Sequence, residues 1–293
     1  MIYDIRHITS YRYETPVASA AFALRLLPRV FLGQRVVRSR LSITPRPADE
    51  TSSTDFFGNS VTFARIEARH SELVLEANSR VIVERDEPVA AGLTPAWEAI
   101  RDAAHGATSF CSDGPAHHLY PSRLVRLHDP ATAYAARSFS PKRPMLEAAC
   151  ELMGRIRRDF AYDAAATAVE TTVAEAFERR RGVCQDFAHV MIAGLRGLGL
   201  PASYVSGYIR TTPPKGGQRL EGADASHAWV GVWCGAEFGW VGLDPTNDMS
   251  VGDDHVVLAV GRDYADVSPT AGVFIGSGAH ALQVSVDVRP ASE

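Results

Sequence analysis

Short runs of alternating apolar and polar residues recur from the amino terminus to about residue 88, for example at 38–44, 61–68 and 81–84, with Pro, Gly and Asn between them. A period of two buries one face of a strand, so this region predicts an all-β unit. Gly58-Asn59, between Asp55-Phe56-Phe57 and the run that starts at Val61, marks a hairpin turn because both residues tolerate positive φ at little steric cost. The expectation is a β-sandwich domain of about six or seven strands over residues 1–90. After Pro88 the period lengthens. Residues 96–104, 145–158 and 173–181 carry apolar positions at helical spacing, whereas 109–119, rich in Ser, Gly, Pro and His, reads as a surface loop. Phe187, Val190, Met191, Leu195 and Leu198 predict a helix over 184–198, ended by Gly199 and Pro201. Strand patterns follow at 203–210, 227–233, 239–243, 256–260 and 283–288. Helices followed by a mostly antiparallel sheet make residues 91–293 a second, α+β domain.

Composition narrows the function classes. The 293 residues are 46% hydrophobic and 22% charged, with a formal charge of -4 and basic residues dispersed, so no nucleic-acid partner is expected. The most apolar stretch, 187–201, is interrupted by Arg196, Gly194, Gly197 and Gly199, which excludes a membrane span of the usual length. The opening Met1-Ile2-Tyr3-Asp4-Ile5-Arg6-His7 lacks the apolar run of a secretion signal, so the expected location is the cytoplasm. Cys111, Cys150, Cys184 and Cys234 contain no close pair, which speaks against a zinc knuckle and for reduced thiols, with no metal or other cofactor expected.

One of these cysteines stands where its chemistry would change. Cys184 follows Arg181-Gly182-Val183 and opens the predicted helix. Amide N–H groups of a first helical turn lack internal acceptors and the helix dipole is positive there, so a thiolate is favoured and an oxyanion could be received. An arbitrary free cysteine is more often a small buried apolar side chain; the partners of Cys184 argue against that. Ser226-His227-Ala228-Trp229-Val230 opens one strand and Trp240-Val241-Gly242-Leu243-Asp244-Pro245 ends another, with Gly235-Ala236 as the turn between them. If Cys234 faces Glu237 across that turn, His227 faces Asp244 directly, with Cβ atoms about 4.5–5.5 Å apart. A cysteine on a helix start beside His and Asp on adjacent strands is the arrangement of papain-like enzymes, with Cys184 as nucleophile, His227 as base and Asp244 orienting the base. Taken singly, His227 reads as a satisfied core histidine and Asp244 as a cap on the Thr246-Asn247 turn. His189 lies roughly 140° around the helix from Cys184 and points away. His117-His118, His255, Cys111, Cys150 and Cys234 read as loop or structural residues.

At these residues the chain resembles the bacterial transglutaminase-like superfamily, whose members are often described as cysteine proteases. The resemblance rests on GVCQDFAH at 182–189, GLPASYVSGY at 199–208, SHAWV at 226–230, LDPTND at 243–248 and GRDYADVSP at 261–269. Residues 5–13, 24–28 and 55–59 are similar to the family's bacterial amino-terminal β domain, so the likeness spans nearly the whole chain. It implies a papain-like, transglutaminase-like core with its nucleophile, base and acid at Cys184, His227 and Asp244. Gln185 stands where animal cross-linking transglutaminases carry Trp, and their calcium-binding segments have no counterpart here, so cross-linking is not implied. The implied chemistry is thiolate attack on an amide or ester carbonyl, a thioester, and completion by water or an amine.

The expected function is therefore that of a peptidase or amidase with a peptide or protein substrate. The rivals are an amine acyl transferase on the same residues, a catalytically silent peptide-binding protein, and a hydrolase that uses Cys, His and Asp as metal ligands. The loop at 211–224 is expected to wall the cleft.

Overall fold

The structure is a computed structural model that describes residues 1–210 and 225–291. It opens with six strands, β1 (Ile2–Val17), β2 (Ser19–Leu24), β3 (Gln34–Thr44), β4 (Asp49–Thr54), β5 (Ser60–Ile66) and β6 (His70–Val83). Alternate residues of β1 and β6 are buried, as the two-residue period requires. The same two strands serve two cores. Tyr13, Leu73 and Leu75 pack against Phe22, Leu24, Ala64 and Ile66 of the facing sheet, while Tyr3, Ile5, Val81 and Val83 pack against Tyr208, Val256 and Leu258 of the second domain. The predicted hairpin joins β4 to β5: Gly58 takes φ 79°, and Asp55 Oδ1 accepts from the amides of Phe57 and Asn59, each at 3.0 Å.

Beyond it come α1 (Trp97–His105), α2 (Asp129–Ala136), α3 (Met145–Asp159), β7 (Ala161–Tyr162), α4 (Val173–Arg179), β8 (Arg181–Gly182) and α5 (Cys184–Gly197). The chain then forms β9 (Ala202–Ile209), β10 (Ala225–Trp233), β11 (Trp240–Asp244), β12 (Met249–Ser250), β13 (His255–Gly261) and α6 (Tyr264–Val267). These five strands form one antiparallel sheet in the order β12-β11-β10-β9-β13. Residues 185–196 of α5 are buried without exception, because Ala202, Tyr204, Ala228, Val230 and Val232 cover one side of the helix and the other helices the rest. The cost of placing a 14-residue helix in the core is met by its composition, apolar at Phe187, Val190, Met191, Ile192 and Leu195. No helix among the described residues is long and apolar enough to cross a membrane.

Two strands depart from the sequence reading. The run at 283–288 belongs to β15 (His280–Pro290), and it pairs with β1 rather than joining the carboxy-terminal sheet. β14 (Thr270–Ile275), absent from the expectation, pairs with β2. The sandwich therefore consists of two four-stranded sheets, β15-β1-β6-β3 and β14-β2-β5-β4, each completed from the far end of the chain. Alternation reveals that a strand is half-buried but not which edge it joins, which is why pattern alone misplaced it. The weakly amphipathic α2, whose buried residues include only Ala131, Tyr134 and Ala135, escaped for lack of large apolar side chains.

β13 is an edge strand, and its exposed backbone groups are taken up by side chains of the sandwich. Gln34 Oε1 accepts from the Val257 amide and Gln34 Nε2 donates to the Val257 carbonyl, both at 2.8 Å. Asn59 does the same to Val260, again at 2.8 Å for both bonds. Each primary amide thus imitates one residue of a further strand. Gln34 is 2% exposed and Asn59 0%, so water cannot replace them. Gln34→Leu keeps the bulk but strands the N–H and C=O of Val257, and should lower unfolding free energy by about 2–4 kcal/mol. Urea denaturation measures it; a change below about 0.5 kcal/mol would mean that this junction does not hold the two layers together.

Candidate active site

The approach to Cys184 is pinned on both sides. Arg180 ends α4 in the left-handed conformation, φ 54°. Its guanidinium lies over the rings of Tyr134, Phe160 and Phe177 at 4.8, 4.8 and 4.0 Å, a cation–π cage that offsets the backbone cost. β8 then pairs with β7 and delivers Gly182 to the helix start. A Cβ on Gly182 would lie 2.5 Å from Asp186 Oδ2, so only glycine allows Asp186 to fold back. Asp186 Oδ2 accepts from the Val183 amide at 2.8 Å and from Thr167 Oγ1 at 2.7 Å. Burial raises the Asp186 pKa and these two bonds oppose the rise. With the cap amide and its own amide taken up by the Asp186 carboxylate, the amides of Cys184 and Gln185 in the first helical turn remain for a ligand. Cys184 itself is half-buried.

His227 and Asp244 meet, but in a different register from the one predicted. Val230 pairs with Leu243 and Trp233 with Trp240, two positions away from the pairing inferred from the turn. The loop at residues 234–239 is closed by the Cys234 amide on the Gly239 carbonyl at 2.8 Å, so Cys234 does not face Glu237. A shift of two keeps every side chain on its own face, and His227 and Asp244 become diagonal neighbours within side-chain reach. His227 Nε2 lies 2.8 Å from Asp244 Oδ2. That leaves Nδ1 for Cys184, whose interaction with the ring favours the cation. Asp244 serves its turn as well: Oδ1 accepts from the amides of Thr246 at 2.9 Å and Asn247 at 3.2 Å. The capping role and the role beside His227 are thus divided between its two oxygens.

Two residues passed over as spacer or support complete this cluster. Asn247 Nδ2 donates to Asp244 Oδ2 at 2.7 Å, and His255 Nε2 approaches the same oxygen at 3.5 Å from β13. The LDPTND run contained Asn247 in plain view, whereas His255 is distant in sequence and only the sheet brings it in. Asp244 is fully buried, which on its own would raise its pKa. Bonds from His227, His255 and Asn247 overturn that and hold the carboxyl far below the ordinary range. Burial likewise depresses the His227 cation, but hydrogen bonds to Asp244 and Cys184 outweigh it and raise its pKa to about 9. Stability gained from this raised value is full below the ordinary histidine pKa, about 6.5, and is lost as pH rises through about 9.

The remaining candidates lie elsewhere. His189 is buried and its Nε2 accepts from the Tyr264 amide at 3.3 Å. His118 is buried, with its ring against Trp240. Among the described residues no group of three His, Cys, Asp or Glu could hold a metal ion. The loop expected to wall the cleft, 211–224, lies outside the described residues. Burial pushes the Cys234 thiol up to about 12 and raises that of Cys150, while Cys111 is exposed. Limited iodoacetamide treatment near neutral pH should therefore label Cys184 first, Cys111 next, and Cys150 and Cys234 last, as read by peptide mapping. Asp244→Asn should slow the labelling of Cys184 at neutral pH, because the His227 ring loses the carboxylate that holds and charges it. Faster labelling of Cys111 than of Cys184, or an unchanged Cys184 rate in the variant, would contradict this geometry.

Comparison with known proteins agrees with this arrangement of elements. The profile of the bacterial transglutaminase-like N-terminal region matches residues 3–82, and that of the transglutaminase-like superfamily core matches residues 132–245. An uncharacterized protein of Mycobacterium tuberculosis is 42% identical, over 98% of this chain and 92% of its own. One of Mycobacterium leprae is 33% identical, over 96% of each. A protein-glutamine gamma-glutamyltransferase of Pseudomonas aeruginosa is 37% identical over a 75-residue stretch, 25% of this chain and 11% of that protein. The crystal structure of a "putative cysteine protease" from Cytophaga hutchinsonii, 19% identical, superimposes with a TM-score of 0.74 over 100% of this chain and 92% of that one, so the two share a fold. With two family profiles matched in order and relatives aligned along its whole length, the chain belongs to the transglutaminase-like superfamily and carries the bacterial transglutaminase-like N-terminal region.

Proposed function

We propose that this protein hydrolyses peptide or amide bonds through a thioester on Cys184. One observation carries the reading: the His227 imidazole is held by the Asp244 carboxylate at 2.8 Å, and Cys184 acts with Asp244 to favour its cation. A His227 pKa of about 9 keeps the ring protonated at neutral pH. The reactive form is then a thiolate beside an imidazolium, and His227 acts first as an acid. The thiolate attacks the carbonyl carbon, and the oxyanion forms near the free amides at the start of α5. Collapse expels the amine, which takes the proton from His227, and leaves the acyl group on sulfur. Neutral His227 then removes a proton from the water that attacks the thioester; the acid departs and the thiolate and imidazolium are restored. Asp244 holds the ring so that Nδ1 faces sulfur throughout.

A second reading, in which an amine replaces water, is favoured by the short stretch shared with the Pseudomonas gamma-glutamyltransferase. p-Nitrophenyl acetate distinguishes the possibilities without a known substrate. Acetylation should appear on the Cys184 peptide and nowhere else, should vanish in Cys184→Ala, and should fall in Asp244→Asn on the order of 10- to 10³-fold. Release as acetate, little changed by added methylamine, supports hydrolysis; release mainly as N-methylacetamide supports transfer. Absence of any acyl-enzyme would leave a peptide-binding protein and sink both enzyme readings. The alkaline limb of the hydrolysis profile should lie near 9 and move lower in Asp244→Asn, because the cation loses its neighbouring charge.

A further inference from the structure

A cavity of about 480 Å³ separates the sandwich from the sheet, and none of Cys184, His227 and Asp244 lines it. Its floor is the side of β9, β10 and β13 that carries Val205, Trp229 and Val257. Phe31 packs against this floor, and two arginines lie beside its ring: the guanidinium of Arg29 is 5.7 Å and that of Arg85 4.9 Å from the ring centre. A void of this size with apolar walls and few polar groups has the character of a small-molecule site.

The arginines are the unusual feature. Arg29 Nη1 donates to Asn59 Oδ1 at 3.3 Å and Arg85 Nη2 to the His255 carbonyl at 3.2 Å. Neither guanidinium forms an ion pair with a carboxylate among the described residues. Asp55 acts on Arg29, and Asp253 on Arg85, only through longer-range attraction, and burial lowers the pKa of both arginines. The remaining terminal nitrogens, Arg29 Nη2 and Arg85 Nη1, pack closely on glycines: a Cβ on Gly58 would lie 3.2 Å from the first, and one on Gly33 3.3 Å from the second. Both glycines have positive φ, 79° and 88°, so a side chain there is disfavoured twice over. Asp86, Glu87 and Asp113 also border the cavity, but they are exposed and remain solvated.

Half-buried, unpaired guanidinium groups beside apolar walls call for an anion with an apolar body. We propose that this cavity is a second binding site, for an organic acid. Its carboxylate is received by the arginine groups at Arg29 and Arg85, and its aliphatic or aromatic body lies against Val205, Trp229 and Val257. The Trp229 ring also meets that of His255 edge-on at 5.2 Å, and His255 in turn approaches Asp244. The site stands independently of any chemistry at Cys184.

Trp229 and Trp240 both line the cavity, so intrinsic fluorescence of the full chain reports on it. Titration with decanoate should give a saturable change, with 1-decanol and decylamine each binding at least about tenfold more weakly, since one loses the charge and the other reverses it. The double variant Arg29→Gln, Arg85→Gln should lose about tenfold or more in decanoate affinity while its affinity for 1-decanol stays the same. No saturable response to decanoate, or equal affinity for the acid, the alcohol and the amine, overturns the proposal, and these wild-type comparisons decide it even where the double variant fails to fold. Decanoate binding unchanged in a folded double variant overturns it equally.

Discussion

The carboxylate of Asp244 is taken wholly out of water, and the rest of the site is arranged to keep it charged there. Its exposure is 0%. A lone carboxylate in such a place would take up a proton, because the penalty for a buried unpaired charge amounts to several kcal/mol. Here donors converge from three elements: His227 from β10, the Asn247 side chain and the Thr246 and Asn247 amides from the turn after β11, and His255 from β13. Removing any one of them leaves the charge under-compensated. The anion in turn keeps the His227 ring positive, and that cation lies beside Cys184. The setting of Cys184 therefore depends on the order of a sheet whose edge strand is held by side chains of the sandwich.

That dependence explains several residues far from the thiol. Gly207 sits opposite His227 in β9, and a Cβ there would lie 2.2 Å from the Val256 carbonyl oxygen and 2.4 Å from Trp229 Cη2. The gap lets the indole lie across the strand and back the His255 ring. Gln34 and Asn59 tie β13, and hence His255, to the sandwich. The amino-terminal region is thus a clamp on the edge of the carboxy-terminal sheet, and β14 and β15 lock that clamp by returning to it from beyond the core. On the far side of α5 the buried Arg196 donates to the carbonyls of His118, Ala202 and Arg262, which fixes the carboxy-terminal end of the helix whose other end carries the cysteine.

Much of this was legible in the chain. Helical spacing located α5 to within a residue of its end, and the helix-start position of Cys184 followed from Gly182 and the apolar run behind it. His227 and Asp244 could be paired because a hairpin turn between two strand patterns leaves few registers. The chosen register was two positions out, since the turn closes from Cys234 to Gly239 rather than across Glu237. The error was harmless only because it was even: a slip of one would have sent Asp244 to the opposite face. His255, Gln34 and Asn59 were not legible as partners. Their roles rest on contacts across 11, 223 and 201 residues of sequence, and no local period reports such pairing. β14 and β15 were misread for the same reason.

The buried Asp244 anion keeps His227 positively charged next to Cys184. Nuclear magnetic resonance of the imidazole carbon-bound protons, followed against pH in the intact chain with His227→Gln used for assignment, measures that charge directly. His227 should titrate near 9 and be protonated at neutral pH. Titration at or below the ordinary histidine value of about 6.5 would contradict it, because burial would then have prevailed over Asp244 and the pair would hold no imidazolium to set beside a thiolate.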